Sequence, residues 1–294
     1  MDPNGKIALV TGGASGIGLA TAKELLQQGV QGLSICDVNV TKGETEVKQL
    51  QQEFGKSKAI FIKTDVTKDE EVQAAFKQTI KQYGGVDIVI NNAGLCNDKK
   101  VEHCISVNVI GIIQTAFAAL KYMGKDQEGK GGVIVNTGSI AGMGGGCMVT
   151  PVYNASKYAV ANYCMLFQSD YILRTTGVRV ICICPGYTST EIFPISDGQP
   201  PIVTARDEWA PELNRQVEML LAPQRVENVS KAILKMIREA KTGSLWVSEN
   251  DKPPYEVKMP PYASLKNSLS LLSVFHLFLQ EEEMSDVLGR VLDL

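Results

Sequence analysis

Tyr153 and Lys157, four residues apart in Tyr153-Asn154-Ala155-Ser156-Lys157, together with Ser139, are the side chains of this sequence best suited to chemistry. At the start of a helix the tyrosine and lysine stand one turn apart on the same face. An ammonium beside a phenol favours the phenolate and lowers a pKa that is ordinarily ~10. A phenol tuned in this way takes a proton from an alcohol near neutral pH. The Ser139 hydroxyl can hydrogen-bond the oxygen on the reacting carbon. The three groups suit removal of an alcohol proton while something else removes a hydride. Spacing alone does not establish this, because Tyr262 and Lys266 repeat it after Pro260-Pro261 with no glycine-rich segment ahead of them. The two pairs are separated by whether a hydride acceptor is encoded elsewhere.

Such a site is encoded near the amino terminus. Lys6 to Thr11 is a short apolar run that reads as a buried parallel strand. It enters Thr11-Gly12-Gly13-Ala14-Ser15-Gly16-Ile17-Gly18, a helix over residues 19–28 follows, Gly29 ends it, and a second strand covers Gly32 to Asp37. Glycines at 12, 16 and 18 let a pyrophosphate lie against bare backbone at the positive end of the helix, beside Ser15 and Ile17. Asp37 closes the second strand nineteen residues after Gly18, where a carboxylate accepts hydrogen bonds from ribose hydroxyls and repels a 2′-phosphate. Gly13 and Val38 add no positive charge, and the first arginine of the chain is Arg174. These features favour NAD over NADP. A second glycine run, Thr137 to Gly144, fits the same pattern but has neither an immediate helix nor an acid-ended strand after it.

The alternation continues along the chain. Helices are expected over 47–54, 68–83, 104–123, 151–175 and 227–240. Strands are expected over 58–63, 86–90, 132–137, 178–183 and 244–247. Strands alternating with helices give an α/β fold, a single doubly wound parallel sheet of the Rossmann type with helices on both faces. The strand ends near Gly12, Asp37, Asp65, Asn91, Ser139 and Pro185 gather on one edge. This organisation assigns 1–250 to a dinucleotide-binding catalytic domain and 251–294 to a carboxy-terminal extension.

The 294 residues carry a net charge of −3, with 44% hydrophobic and 21% charged residues and a pI near 5.6. That balance is ordinary for a globular protein and gives no reason to expect a nucleic-acid partner. Asp2, Asn4 and Lys6 interrupt any apolar leader, and no unbroken apolar run reaches the ~18 residues of a membrane span. A cytoplasmic location is the expectation. Seven cysteines, none in a Cys-x-x-Cys pair, suit buried free thiols in a reducing compartment. With only His103 and His276, a histidine-rich metal site and a serine–histidine hydrolase have no basis, and no metal is expected.

Taken in order, the motifs resemble those of the short-chain dehydrogenase/reductase family. They are Thr11-Gly-x-x-x-Gly-Ile-Gly18, Asp65-Val66, Asn91-Asn92-Ala93-Gly94, Asn108, Ser139, Tyr153-x-x-x-Lys157 and Pro185-Gly186-x-Thr188. The resemblance implies that Asp65 and Val66 contact adenine and that Asn92, Ala93 and Gly94 support the sheet and the cofactor. It implies that Asn108 helps hold a water relay to Lys157, which also binds the nicotinamide ribose. Pro185, Gly186 and Thr188 would orient the carboxamide. The stretches Tyr122 to Lys125, Gly131 to Asn136 and Pro151 to Tyr153 point to the branch holding 15-hydroxyprostaglandin and insect alcohol dehydrogenases. Where the prostaglandin enzyme has a glutamine that helps hold the substrate hydroxyl, this chain has Thr150.

The resemblance implies that 187–223 covers the substrate, and this segment offers Tyr187, Ile192, Phe193, Pro194, Ile195, Pro200, Pro201, Ile202, Val203 and Trp209, with Met143 and Met148 as adaptable walls opposite. Such a lining suits a lipophilic secondary or allylic alcohol, or the matching ketone. Arg206 and Arg215 are expected to make exposed structural pairs. The helices near 104–123 and 151–175 carry surplus apolar surface, and the family pairs through them as homodimers or homotetramers. The rival reading is a non-catalytic NAD-binding scaffold, which the retained Tyr153 and Lys157 disfavour. In the extension an amphipathic helix over 264–280 precedes Glu281-Glu282-Glu283, and Ser285 caps a short last helix. The acidic run opposes membrane contact, so docking on its own or a neighbouring subunit is expected.

Overall fold

The computed structural model describes residues 1–146, 148–190, 192, 204–219 and 223–260. The expectations for Cys147, the covering residues 193–203, the Tyr262–Lys266 pair and the helices beyond 260 lie outside the described residues.

In chain order the elements are β1 (Ile7–Thr11), α1 (Gly16–Gln27), β2 (Gly32–Asp37), α2 (Val40–Phe54), β3 (Ala59–Lys63) and α3 (Asp69–Tyr83). They continue with β4 (Ile88–Asn91), α4 (Val101–Ile105), α5 (Ile112–Met123), β5 (Gly132–Thr137), α6 (Pro151–Met165) and α7 (Asp170–Thr176). The last are β6 (Val178–Pro185), α8 (Ala210–Met219), α9 (Val226–Glu239), β7 (Leu245–Ser248) and β8 (Tyr255–Val257). The sheet order is β3-β2-β1-β4-β5-β6-β7-β8. β1 pairs in parallel with both β2 and β4, so the order reverses between β1 and β4. A crevice at the carboxyl ends of the strands is the geometric consequence.

Alternation within each strand feeds two layers. Ala8, Val10, Ile88, Ile90, Val133, Val135, Ile181 and Ile183 form one core with Leu25, Val47, Ile233 and Ile237 of α1, α2 and α9. The intervening residues turn to the other face, where α3 packs on α5 and α6 packs on β5 and β6. Each fully buried leucine or isoleucine contributes roughly 1.5–3 kcal/mol, so the sheet is held by many comparable parts.

α2 begins seven residues before the helix expected over 47–54, α8 falls in a segment where no helix is expected, and four further features depart from the sequence reading. The helix expected from residue 104 is α4, a π-helical turn over Ser106–Gly111 and α5 in succession. The stretch Val101–Met123 is long and apolar enough to cross a membrane by length and composition, although no uninterrupted apolar run announces it. Here its apolar residues include Cys104, Ile112, Ala116 and Met123, all buried. The helix expected over 151–175 breaks after Met165 into a 3-10 turn, and Ser169 caps α7 by accepting from the Tyr171 N–H. Finally, the sheet is not wholly parallel. β8 pairs antiparallel with β7, so the compact unit runs from Met1 to Val257, past the boundary expected at 250. Pro253 and Pro254 hold the chain extended before this edge strand, where missing N–H groups cost little.

Candidate active site

Backbone builds the β1 end of the crevice. Gly12 has φ +61, and a Cβ there would lie 2.8 Å from Ala93 Cα. A Cβ on Gly18 would lie 2.1 Å from the Gly12 carbonyl oxygen, so any side chain would push the turn apart. Ser15 is the N-cap of α1 but makes no side-chain cap, and the first turn holds no acid. The first N–H groups of a helix have no intrahelical partner and carry partial positive charge. They open here onto a cavity of about 450 Å³ lined by Gly12, Ser15, Gly16 and Ile17. That cradle fits the pyrophosphate of a dinucleotide.

Asp37 ends β2 beside this turn. One carboxylate oxygen accepts the Ala14 N–H at 3.0 Å and the other accepts the Asn39 N–H at 3.0 Å. The group is thereby fixed at the cavity, with Val38, Asp65 and Val66 also on the wall. Asp65 accepts both the N–H and the hydroxyl of Thr67, so it shapes its own turn. Glu71 braces that turn by accepting the Asp65 N–H at 2.8 Å, and its hydrogen bond from Lys63 draws its pKa down to about 2. The asparagines join the strands. Asn91 donates to the Ile112 carbonyl and to Asn136, and Asn92 donates to the carbonyls of Thr11 and Gly12.

Buried side chains build the other end. Ser139 leaves β5 at the start of a 3-10 turn, and its Oγ accepts the Ala141 N–H at 3.1 Å. Gly142 lets α6 approach, since a Cβ there would lie 2.5 Å from the Lys157 backbone. This second glycine run therefore packs a helix instead of opening one. α6 carries Tyr153 and Lys157, with relative exposures of 8% and 4%. Lys157 Nζ donates to the Thr137 carbonyl at 2.9 Å and lies 5.7 Å from the centre of the Tyr153 ring.

The electrostatics correct one expectation. Burial pushes the Tyr153 phenol above its ordinary value, and the hydrogen bond with Ser139 offsets only part of that rise. Burial also lowers Lys157. The ammonium gives one of its three N–H groups to Thr137 and is not among the groups that lower the phenol. Asn108 sits in the π-turn, fully buried. Its Oδ1 accepts the Leu95 N–H at 2.9 Å, and its Nδ2 donates to the Leu95 carbonyl at 2.8 Å and to Ser156 Oγ at 3.0 Å. A Cβ on Gly94 would lie 3.4 Å from both Asn108 Oδ1 and Lys157 Nζ, so those two groups face one gap.

The same cavity reaches from Asp37 to Ser139, Tyr153 and Lys157 and on to Pro185, Gly186 and Thr188. Thr188 is held by its own hydrogen bond to the Gly186 carbonyl and by Gln224, whose Nε2 donates to it at 3.0 Å. Thr150 is not on the cavity wall. It is buried beneath the start of α6, with its hydroxyl 3.5 Å from Asn154 Oδ1. Met143 and Met148 are also absent from the described wall, and Met148 is 76% exposed. The apolar group around Tyr153 is instead Cys96, Ala141, Val149 and Leu213, with Ile192 and Trp209 against it. Arg206 and Arg215 pair at the surface with Glu208 and Glu212.

Residues 6–198 match the family model described as short chain dehydrogenase. The chain belongs to that family. It is 36% identical over 193 residues to human 15-hydroxyprostaglandin dehydrogenase [NAD(+)], covering 66% of this chain and 72% of that one. It is 34% identical to alcohol dehydrogenase 2 of Ceratitis cosyra, covering 65% and 73% of the two chains. A Burkholderia phymatum short-chain dehydrogenase/reductase in complex with NAD shares the fold at TM-score 0.69 and 24% identity, over 84% of this chain and 90% of that one. A short-chain dehydrogenase from Burkholderia cenocepacia in complex with NADP gives a TM-score of 0.67 at 25% identity, over 84% and 98%. Family membership makes the chain an oxidoreductase of the NAD(P)-using short-chain type.

Several wall residues went unread in the sequence. Thr64 and Leu95 directly adjoin motif residues, and Thr137 and Gly138, read only as part of the second glycine run, lead into Ser139, so adjacency is a usable signal. His103 and Val107 stand one turn apart on the helical stretch before Asn108, and Thr190 lies across from Gly16. Nothing local marks these three.

Proposed function

We propose that the protein oxidises a lipophilic secondary or allylic alcohol to its carbonyl with NAD. The observation that carries this reading is one continuous cavity joining a side-chain-free anion cradle to Tyr153, Ser139 and Lys157. NAD, when bound, supplies the carbon that accepts the hydride. Gly12, Ser15, Gly16, Ile17 and Gly18 hold the pyrophosphate, and Asp65 and Val66 border the adenine. Asn92, Ala93 and Gly94 form the floor, and Pro185, Gly186 and Thr188 orient the nicotinamide end. Ser139 hydrogen-bonds the substrate oxygen, and Tyr153 takes the hydroxyl proton. Lys157 holds the nicotinamide ribose, and with Asn108 it passes the proton outward through the gap at Gly94.

Asp37 supports NAD over NADP, because its fixed carboxylate faces the place of a 2′-phosphate and no arginine is among the described residues that line the cavity. Apolar Leu95, Val107 and Ile192 on the cavity wall support a lipophilic substrate. The human relative's name specifies a hydroxyprostaglandin. The glutamine of that enzyme is replaced here by Thr150, which points inward at Asn154, so another lipophilic alcohol fits better. Exposed Phe117 and Tyr158, with Ile110 and Leu166 in the turns flanking α5 and α6, support pairing of copies through these two helices. Sedimentation at micromolar concentration checks it, and a monomer there counts against it.

The decisive test incubates the protein with NAD and prostaglandin, retinoid, terpenoid, steroid and simple alcohols, followed by NADH absorbance. Turnover of a lipophilic alcohol is expected. Silence across the set, with NADH still bound, moves the reading to a non-catalytic scaffold.

A further inference from the structure

We propose that Asp98 is a positioning residue for Tyr153: its carboxylate, delivered by the loop after β4, sets where α6 begins and where the phenol stands against Ser139. This rests on the dehydrogenase reading above. α6 has no cap of its own. Its N-cap Thr150 makes no side-chain cap, and its first turn contains no acid. The cap comes from more than fifty residues away: Asp98 Oδ2 accepts the Val152 N–H at 2.7 Å and Oδ1 accepts the Tyr153 N–H at 3.0 Å. Asp98 is only 2% exposed. An ionised acceptor on the positive end of a helix makes stronger bonds than a neutral one, and a buried carboxylate without such donors is costly.

A local cap would fix α6 only relative to its own preceding loop. Asp98 fixes it relative to β4 and to the Asn92–Gly94 floor. The loop is itself clamped, because Asn108 bonds both the N–H and the carbonyl of Leu95. The same Asn108 donates to Ser156 Oγ, which in turn donates to the Tyr153 carbonyl at 2.7 Å. The first turn of α6 is thus held at the Tyr153 N–H by Asp98, and its carbonyl takes the hydroxyl of Ser156, an α6 residue that Asn108 holds in turn. Cys96, two residues before Asp98, packs in the apolar group around Tyr153. A small displacement of this turn moves the phenol away from Ser139.

The test compares Asp98→Asn, which keeps the shape and one acceptor oxygen, with Asp98→Ala, which keeps neither. Four readouts are kcat and KM for 1-octen-3-ol at saturating NAD, the pH profile of kcat/KM, NADH affinity by fluorescence, and amide exchange across 151–157. Misplacement by about 1 Å costs up to ~100-fold, so kcat should fall ~10-fold in the asparagine variant and ~100-fold in the alanine variant. NADH affinity should stay within about twofold, since Asp98 is outside the cradle. Amides at the start of α6 should exchange faster. The acid limb of kcat/KM should move to higher pH, because a displaced Tyr153 loses the Ser139 hydrogen bond that offsets part of its upward shift. A purely structural role lowers the active fraction and leaves the limb in place, and that result overturns the proposal. So does unchanged exchange at Val152 and Tyr153. An unmodified chain that oxidises no alcohol removes the dehydrogenase reading and this proposal with it, while exchange alone still reports whether Asp98 caps α6.

Discussion

At the β1 end of the cavity the wall is made of glycine, helix N–H groups and one carboxylate fixed by backbone. At the β5–β6 end it is made of buried phenol, ammonium and hydroxyl groups, each held by atoms from a different element. The first end relies on absence of side chains, so its specification is local and contiguous in the chain. The second relies on exact placement of side chains, and Tyr153 alone is held through Asp98, Ser156 and Ser139. Binding and chemistry are thereby separable by mutation.

The sharpest way to break that separation is Tyr153→Phe. Loss of a positioned general base costs up to ~10⁴-fold, so turnover should collapse while NADH affinity stays nearly unchanged. A variant with comparable turnover removes Tyr153 from the chemistry. Lys157→Met tests whether the two ends share a residue. It leaves the Thr137 carbonyl without its donor, and a fall of ~100-fold in turnover is expected with a measurable loss of NADH affinity. Unaltered NADH affinity in a fluorescence titration would confine Lys157 to the reacting end.

Gly18→Ala probes the backbone end. Its Cβ would meet the Gly12 carbonyl, so stability should fall by ~1–3 kcal/mol in urea titration, and NADH affinity should weaken with it. Equal stability would show that the turn yields. Asp37→Ala should narrow the preference for NAD over NADP by about tenfold, or ~1.4 kcal/mol, read as a ratio of kcat/KM values. Equal use of both cofactors by the unmodified chain would contradict the premise.

The smallest effect is expected at Glu71, which braces the Asp65 turn. Its pKa is drawn from 4.5 down to about 2, first by the hydrogen bond from Lys63 and then by that from the Asp65 N–H. A depressed carboxylate stabilises the fold above the unfolded value, and that contribution is lost as pH falls from about 4.5 through about 2. The Lys63–Glu71 pair is half-exposed, so solvent screening keeps the effect to ~1 kcal/mol or less. Glu71→Gln should lower Tm slightly at pH 7 and converge with the unmodified chain near pH 2. A constant difference across that range would exclude the ionised form as the cause.

The sequence by itself determined the alternation of strands and helices, the glycine turn into α1, Asp37 at the end of β2, and the i, i+4 pairing of Tyr153 with Lys157. These are periodic or contiguous features, fixed by local backbone geometry and visible one segment at a time. Family resemblance ordered the remaining motifs. Only the tertiary structure decided that α5 is preceded by a π-turn burying Asn108, that α6 stops at Met165, and that β8 returns antiparallel to β7. It also placed Thr150 away from the cavity and made burial, not Lys157, the main influence on the phenol. The physical reason is the same in each case. Burial and long-range hydrogen bonds depend on what a residue meets across the fold, and Asp98 meets Val152 and Tyr153 only because α4 and the π-turn that follow its loop pack against α6.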